Sequence, residues 1–422
     1  MSFRYKFLIG LVSVSIAVYA FVGGILGTFA QQPINDAGAQ IRIFESVLQH
    51  IDNDYVDPPN LEKVRDGALR GLADGLDPYS SYLTAEQVKD FQAGKTNGRV
   101  GIGAEFSKVS SYLYVISVIK GSPADKAGLQ AGDVIEYIDT KATRDISLYD
   151  ARHLILGSSG SPVKLRVLRT SAKPQTLTIA RGAYNIPKVE TKIEEGKVGV
   201  IKVYSLENGE AADIRTAVQS LTKQGVQKIA LDLRNVAAGS LTEAVEVANL
   251  FIKDGNLAQV IGRDSKVLKT YPADPSKFVF DGKLSAIIDL GTSGAAEVVA
   301  SAILDRKRGE VVGEKSFGAG TEQQLFTLRG GDGLLLTTSK WASANGNPFL
   351  TDDRTTSGVK PSVEVKRPET PEPIEVQQLV EQQEEEDQNP QRQTTPQVKE
   401  EKPKPSVEDL QLKKALELLR AV

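Results

Sequence analysis

Apolar positions change their spacing along this chain, and each change predicts a different kind of structure. Phe7 to Ala30 is a run of 24 residues without a charge. A bilayer span needs roughly 20 apolar residues, and Arg4 and Lys6 ahead of the run favour a cytoplasmic N-terminus. Residues 1–31 are therefore expected to be a signal or membrane anchor, held by residues 7–30, with everything after them exported. From 37 to 97 apolar residues recur at helical spacing in "IRIFESVLQHIDNDY" and "LEKVRDGALRGLADGL". "VDPPN" separates these two helices, and Thr84 with Gln87 makes a capping-box start for a third.

From 98 to 182 the period shortens. "RVGIGAEF", "YLYVISVI", "GDVIEYID" and "VKLRVLR" predict strands of a small β-rich domain, with helices at "SPADKAG" and "SLYDARHLIL". From 187 to 366 strand-like "KVGVIKVYSL", "KIALDLRNV", "SAIIDLG" and "GEVVGEKSF" alternate with helical "EAADIRTAVQSLTKQ", "SLTEAVEVANLFIKDG" and "AAEVVASAILDRKR". Such alternation predicts an α/β layer on a largely parallel sheet. "FTLRGGDGLLLTTSKWA" reads as a hairpin turned at "GGDG". Residues 367–405, rich in Pro, Gln and Glu, are expected to be a disordered linker. Residues 406–422 predict a closing helix, started by Ser406 and Asp409, with Leu412, Ala415, Leu416 and Leu419 on one face. A helix of about 15 residues is marginal alone, so docking is expected. The fold class is thus multidomain α/β.

Composition narrows the chemistry. A net charge of −3 leaves no electrostatic footprint for nucleic acid, so no such partner is expected. The absence of cysteine excludes disulfides, thiolate nucleophiles and cysteine-ligated metals. Of two histidines, His50 and His153, neither sits in a pattern suited to a triad or a metal site. No metal and no cofactor is expected.

The stretch "DLGTSGAAEVVASAI", Asp289 to Ile303, is the candidate for chemistry. An apolar run stops at a Gly-Thr-Ser-Gly turn and a helix follows at once, as in turns that present a nucleophilic serine. Its one turn serine is Ser293, and the next residue is Gly294.

Taken in order, "NDYVDPP…LRGLADGLDPYSSYLT", "GSPADKAGLQAGDVIEYIDTK", "ALDLRNVAAGSLTEAVEVANLFI" and "VVGEKSFGAGTEQ" resemble the carboxyl-terminal processing proteases, PDZ-containing S41 serine peptidases. The resemblance runs from Phe44 to Val365. It implies a PDZ-like domain over 98–182, a ClpP/crotonase-like peptidase core over 187–366, and a location in the bacterial periplasm or on the outer face of the cytoplasmic membrane. PDZ domains bind peptide C-termini by strand addition, with backbone amides on the terminal carboxylate. The resemblance places that loop at Gly101, Ile102, Gly103 and Ala104. It turns Leu148 and Ile155 toward the peptide, and Ala151 and Leu154 toward the core.

The family's Ser-Lys dyad needs a serine at a helix start and a buried, neutral lysine as base. The family's serine stands three residues before the glutamate that aligns with Glu297, and here that position is Gly294. Its lysine stands in "FGKG", and here "FGAG" puts Ala319 there. The glutamine that supports the lysine survives as Gln323. The oxyanion region would involve Gly239 and Ala295, in a turn where "VAAG" replaces the family's "NPGG". The resemblance therefore implies a proteolytically inactive envelope protein that binds protein or peptide C-termini, or scaffolds and regulates an active protease relative. The alternative is an active C-terminal processing serine endopeptidase with Ser293 as displaced nucleophile and Lys315 or Lys340 as base. A third reading is an architectural protein with a closed groove.

Overall fold

The computed structural model of the chain describes residues 36–94, 100–170, 172–207, 209–367, 378–380 and 408–421. The expected anchor lies outside these residues, as does most of the expected linker. Among the described residues no helix is long and apolar enough to cross a membrane.

The chain divides at Ala68 into two units. The first holds helix Ala37–Asp54, no residue of which is buried, and the start of helix Leu61–Asp74. The second holds three sheets.

The largest part is built on a six-stranded sheet in the order Val363–Glu364, Gly309–Gly313, Lys283–Ile288, Lys228–Asp232, Val198–Lys202, Glu190–Glu194. All neighbours are parallel except the last pair. Its central strands Val198–Lys202, Lys228–Asp232 and Lys283–Ile288 are near-continuous apolar runs because both their faces are covered, whereas the edge strand Glu190–Glu194 is largely exposed. Helices Glu210–Lys223, Leu241–Phe251 and Ala295–Asp305 carry residues of the main core cluster. The C-terminal helix Leu410–Arg420 packs Leu416 and Leu419 against Val198, Val200 and Ala230, and Ala415 with Ile287 and Val312. The predicted apolar face therefore does dock. At its start Asp409 caps the helix, accepting from the Leu412 N–H at 3.0 Å; Ser406, the other residue expected there, lies outside the described residues. Both Asp409 oxygens also accept from Arg234, at 2.7 and 2.8 Å, and Arg234 in turn grips Asp232.

A second sheet runs Ser81–Leu83, Gly333–Ala342, Asn256–Ile261, Val267–Pro272, with Thr321–Thr327 also on Gly333–Ala342. The hairpin at "GGDG" is present. The strand Ser81–Leu83 and the hairpin over residues 256–272 escape the sequence pattern. Val267 and Leu268 are more than half exposed, so the outer strand has no core-facing alternation to read.

The third sheet orders Ala104–Val109, Tyr112–Val118, Val134–Ile138, Pro162–Leu168 and Gln175–Ala180, with helix Leu148–Ile155 packed on it. This is the β-rich domain read from the sequence. Ahead of it, Thr84 and Gln87 form the expected capping box on helix Ala85–Ala93. Asp77 holds the preceding turn by accepting from the N–H groups of Tyr79 and Ser80.

Candidate functional site

Strand Lys283–Ile288 ends in the turn 289–294, and helix Ala295–Asp305 starts immediately. Asp289 ties the turn, accepting from the N–H groups of Gly291 and Asn235, both at 2.9 Å. The Thr292 hydroxyl donates to the Leu233 carbonyl at 2.9 Å. Gly294 holds φ +54° and ψ −107°, a conformation L side chains rarely adopt. A Cβ there would meet only the Trp341 ring, at 3.7 Å. The position has room for a side chain and lacks one.

Gly294 and Ala319 converge on a single buried carboxylate. Glu297, fully buried, accepts from the Gly294 N–H at 2.7 Å and the Ala319 N–H at 2.9 Å on one oxygen. Its other oxygen accepts from the Gly318 N–H at 2.7 Å and the Ser316 hydroxyl. Burial pushes this carboxyl up to about 7, against the pull of those donors. Gly294 and Ala319 themselves carry neither a hydroxyl nor an amine.

The other residues read from the sequence separate into those that join this site and those that do not. Gly239 lies against the helix start. A Cβ on it would come within 2.6 Å of the Leu206 carbonyl and 2.8 Å of the Ala295 Cβ, so only glycine fits. Ser293 is buried, and its N–H donates to the Val236 carbonyl at 2.9 Å. Lys315 donates to the Arg354 and Thr355 carbonyls, and Lys340 lies 3.7 Å from Asp352. Neither is hydrogen-bonded to Ser293. Gln323 donates to Thr321 and Thr337, at 2.7 and 3.2 Å, and supports strand pairing.

In the β-rich domain the residues 101–104 run beside helix Leu148–Ile155. The carbonyls of Gly101, Ile102 and Gly103 accept from Gly182, Ala124 and Ile119. The N–H groups of Ile102 and Gly103 donate to no protein acceptor among the described residues. Carbonyls turned inward and amides left over suit an anion loop. The helix does not divide as expected. Leu148, Ala151 and Ile155 share one buried face with Ile102 and Phe106, since spacings of three and four residues fall on one side of a helix. Arg152 crosses the groove, donating to the Phe106 carbonyl of the edge strand at 3.1 Å.

Residues that the sequence did not single out close this domain over the turn. Asn235 brackets Val118, donating to its carbonyl at 2.8 Å and accepting from its N–H at 3.2 Å. Tyr114 stacks on Phe317 with centroids 5.6 Å apart, and the Arg354 guanidinium lies 4.3 Å from the same ring. Val109, Tyr114, Ile116, Val134 and Leu168 form one buried cluster with Phe317 and Ala319, and Ala237 packs at its margin. A signal for this seam existed. "YLYVISV" is apolar at nearly every position, which predicts a strand buried on both faces.

The model for "Peptidase family S41" matches residues 197–365, and that for "PDZ domain" matches 114–169. The "Probable CtpA-like serine protease" of Staphylococcus aureus strain MRSA252 is 32% identical over 372 residues, covering 86% of this chain and 73% of that protein. Its namesake in Staphylococcus haemolyticus strain JCSC1435 is 33% identical over 337 residues, covering 79% and 66%. The solved "Photosystem II D1 C-terminal processing protease" superposes with a TM-score of 0.63 at 26% identity, covering 76% of this chain and 92% of that one.

Proposed function

The chain belongs to the PDZ-containing carboxyl-terminal processing proteases of peptidase family S41, and from that premise we propose that it binds polypeptide C-termini without cutting them. The observation that carries this reading is the pair Gly294 and Ala319, facing one buried carboxylate where the family's chemistry calls for a serine and a lysine. Acyl transfer needs a nucleophile and a group able to take its proton. Without them, the N–H groups of Gly294 and Ala319 serve Glu297 alone.

Binding falls to the loop 101–104. Its two uncommitted amides favour a carboxylate, and the edge strand Ala104–Val109 can accept an added strand once Arg152 releases the Phe106 carbonyl. Calorimetric titration of the full-length chain with peptides ending in a free carboxylate tests this. Saturable binding is expected, with affinity falling about tenfold or more when the terminus is amidated, since a hydrogen-bonded charge contributes ~1.5–3 kcal/mol. Equal affinity for both forms contradicts it. The exported location and the regulation of an active relative belong to the same proposal, supported by the uncharged run Phe7 to Ala30 and by family membership.

A further inference from the structure

The cluster that closes over Ala319 contains one residue from neither domain. Val380, 5% exposed, is buried among Tyr114, Ile116, Phe317 and Ala319, and Leu379 packs at the margin. Both belong to a tail that is otherwise poor in large apolar side chains. The tail leaves the core close by. Arg367 donates from its backbone and side chain to Glu314 and lies 2.9 Å from Asp289, the residue that ties the turn. Gln378 is eleven residues beyond Arg367, and extended chain spans up to about 3.3–3.6 Å per residue. Eleven residues of extended chain therefore span up to about 36–40 Å.

We propose that the seam over the vacated dyad is a binding surface for a short aliphatic segment, and that its occupant is the chain's own Gln378–Val380. The chemistry matches on both sides. A lysine at position 319 would set an amine into this cluster and disfavour an aliphatic neighbour. Alanine at 319 and alanine at 237 leave an apolar floor instead. Tyr114 and Ile116 supply the roof from the outward face of the PDZ-like sheet. Loss of the base and gain of a plug are then two sides of one change. The proposal rests on the reading above only in taking Ala319 as a lost base position.

The absence of cysteine makes the test direct. Val380→Cys in the full-length chain adds one thiol of similar bulk, whose maleimide labelling is followed by mass spectrometry. Labelling about tenfold or more slower in the folded chain than in the same chain in urea is expected, since a buried thiol reacts only through local opening. Equal rates overturn the proposal. Adding Ile116→Asp, which opens the seam from the PDZ side, is expected to release the thiol to fast labelling. Continued protection would place the burial elsewhere and also overturn it. Neither measurement reads peptide binding or cleavage, so the plug and the proposed function can fail separately.

Discussion

At the scale of single residues, Glu297 is where the site's remaining electrostatics are concentrated. Desolvation raises its carboxyl to about 7 from 4.5, so the folded chain holds a proton there that the unfolded chain releases. The contribution is fully present below about pH 4.5 and is lost as pH rises through 7, because stability falls wherever the folded state binds more protons. Thermal unfolding between pH 5 and 8 should therefore show a downward slope with rising pH that flattens in Glu297→Gln. That variant should also be less stable by about 1–3 kcal/mol, because an amide NH2 replaces an acceptor facing the N–H groups of Gly294 and Ala319. A slope unchanged in the variant would place the titration elsewhere. Sequence alone marked Glu297 only as a landmark for counting back to Gly294. Its role as acceptor for donors from two segments depends on the approach of residues 316–319, which no local pattern records.

At the scale of elements, most of what the spacing predicted is present. The parallel strands, their helices and the strands of the PDZ-like domain are built from runs whose period or continuity is strong. What stayed hidden was edge structure. Strand Val267–Pro272 exposes both faces, and strand Ser81–Leu83 is too short for a period. Docking of the C-terminal helix could be foreseen from its single apolar face. Its anchor could not, because Arg234 and Asp409 are 175 residues apart. Asp409 both caps that helix and holds Arg234, next to the Asn235 that brackets Val118. Asp409→Ala should cost about 1–2 kcal/mol, the worth of a helix cap with a small addition from a partly exposed pair. Chemical denaturation read by hydrogen exchange in residues 410–420 checks this. Exchange there should quicken before the central strands respond, and an unchanged rate would mean that apolar packing alone holds the helix.

At the scale of the whole molecule, the candidate site is covered. Residues 289–300 are buried throughout, and the outward face of the PDZ-like sheet lies over Phe317 and Ala319. The resemblance placed the dyad positions at Gly294 and Ala319 by counting from motifs, and the fold brings those two residues onto one carboxylate although they are 25 positions apart. What motif counting could not supply was the position of one domain over another, which depends on outward-facing side chains such as Tyr114 and Ile116. The central claim, binding without hydrolysis, meets its most direct test in one assay. Purified full-length chain is incubated with an unfolded protein substrate, beside the Ser293→Ala variant, and products are followed by mass spectrometry. The account predicts no cleavage above the buffer control for either protein. Cleavage by the unaltered chain that disappears in Ser293→Ala would contradict it.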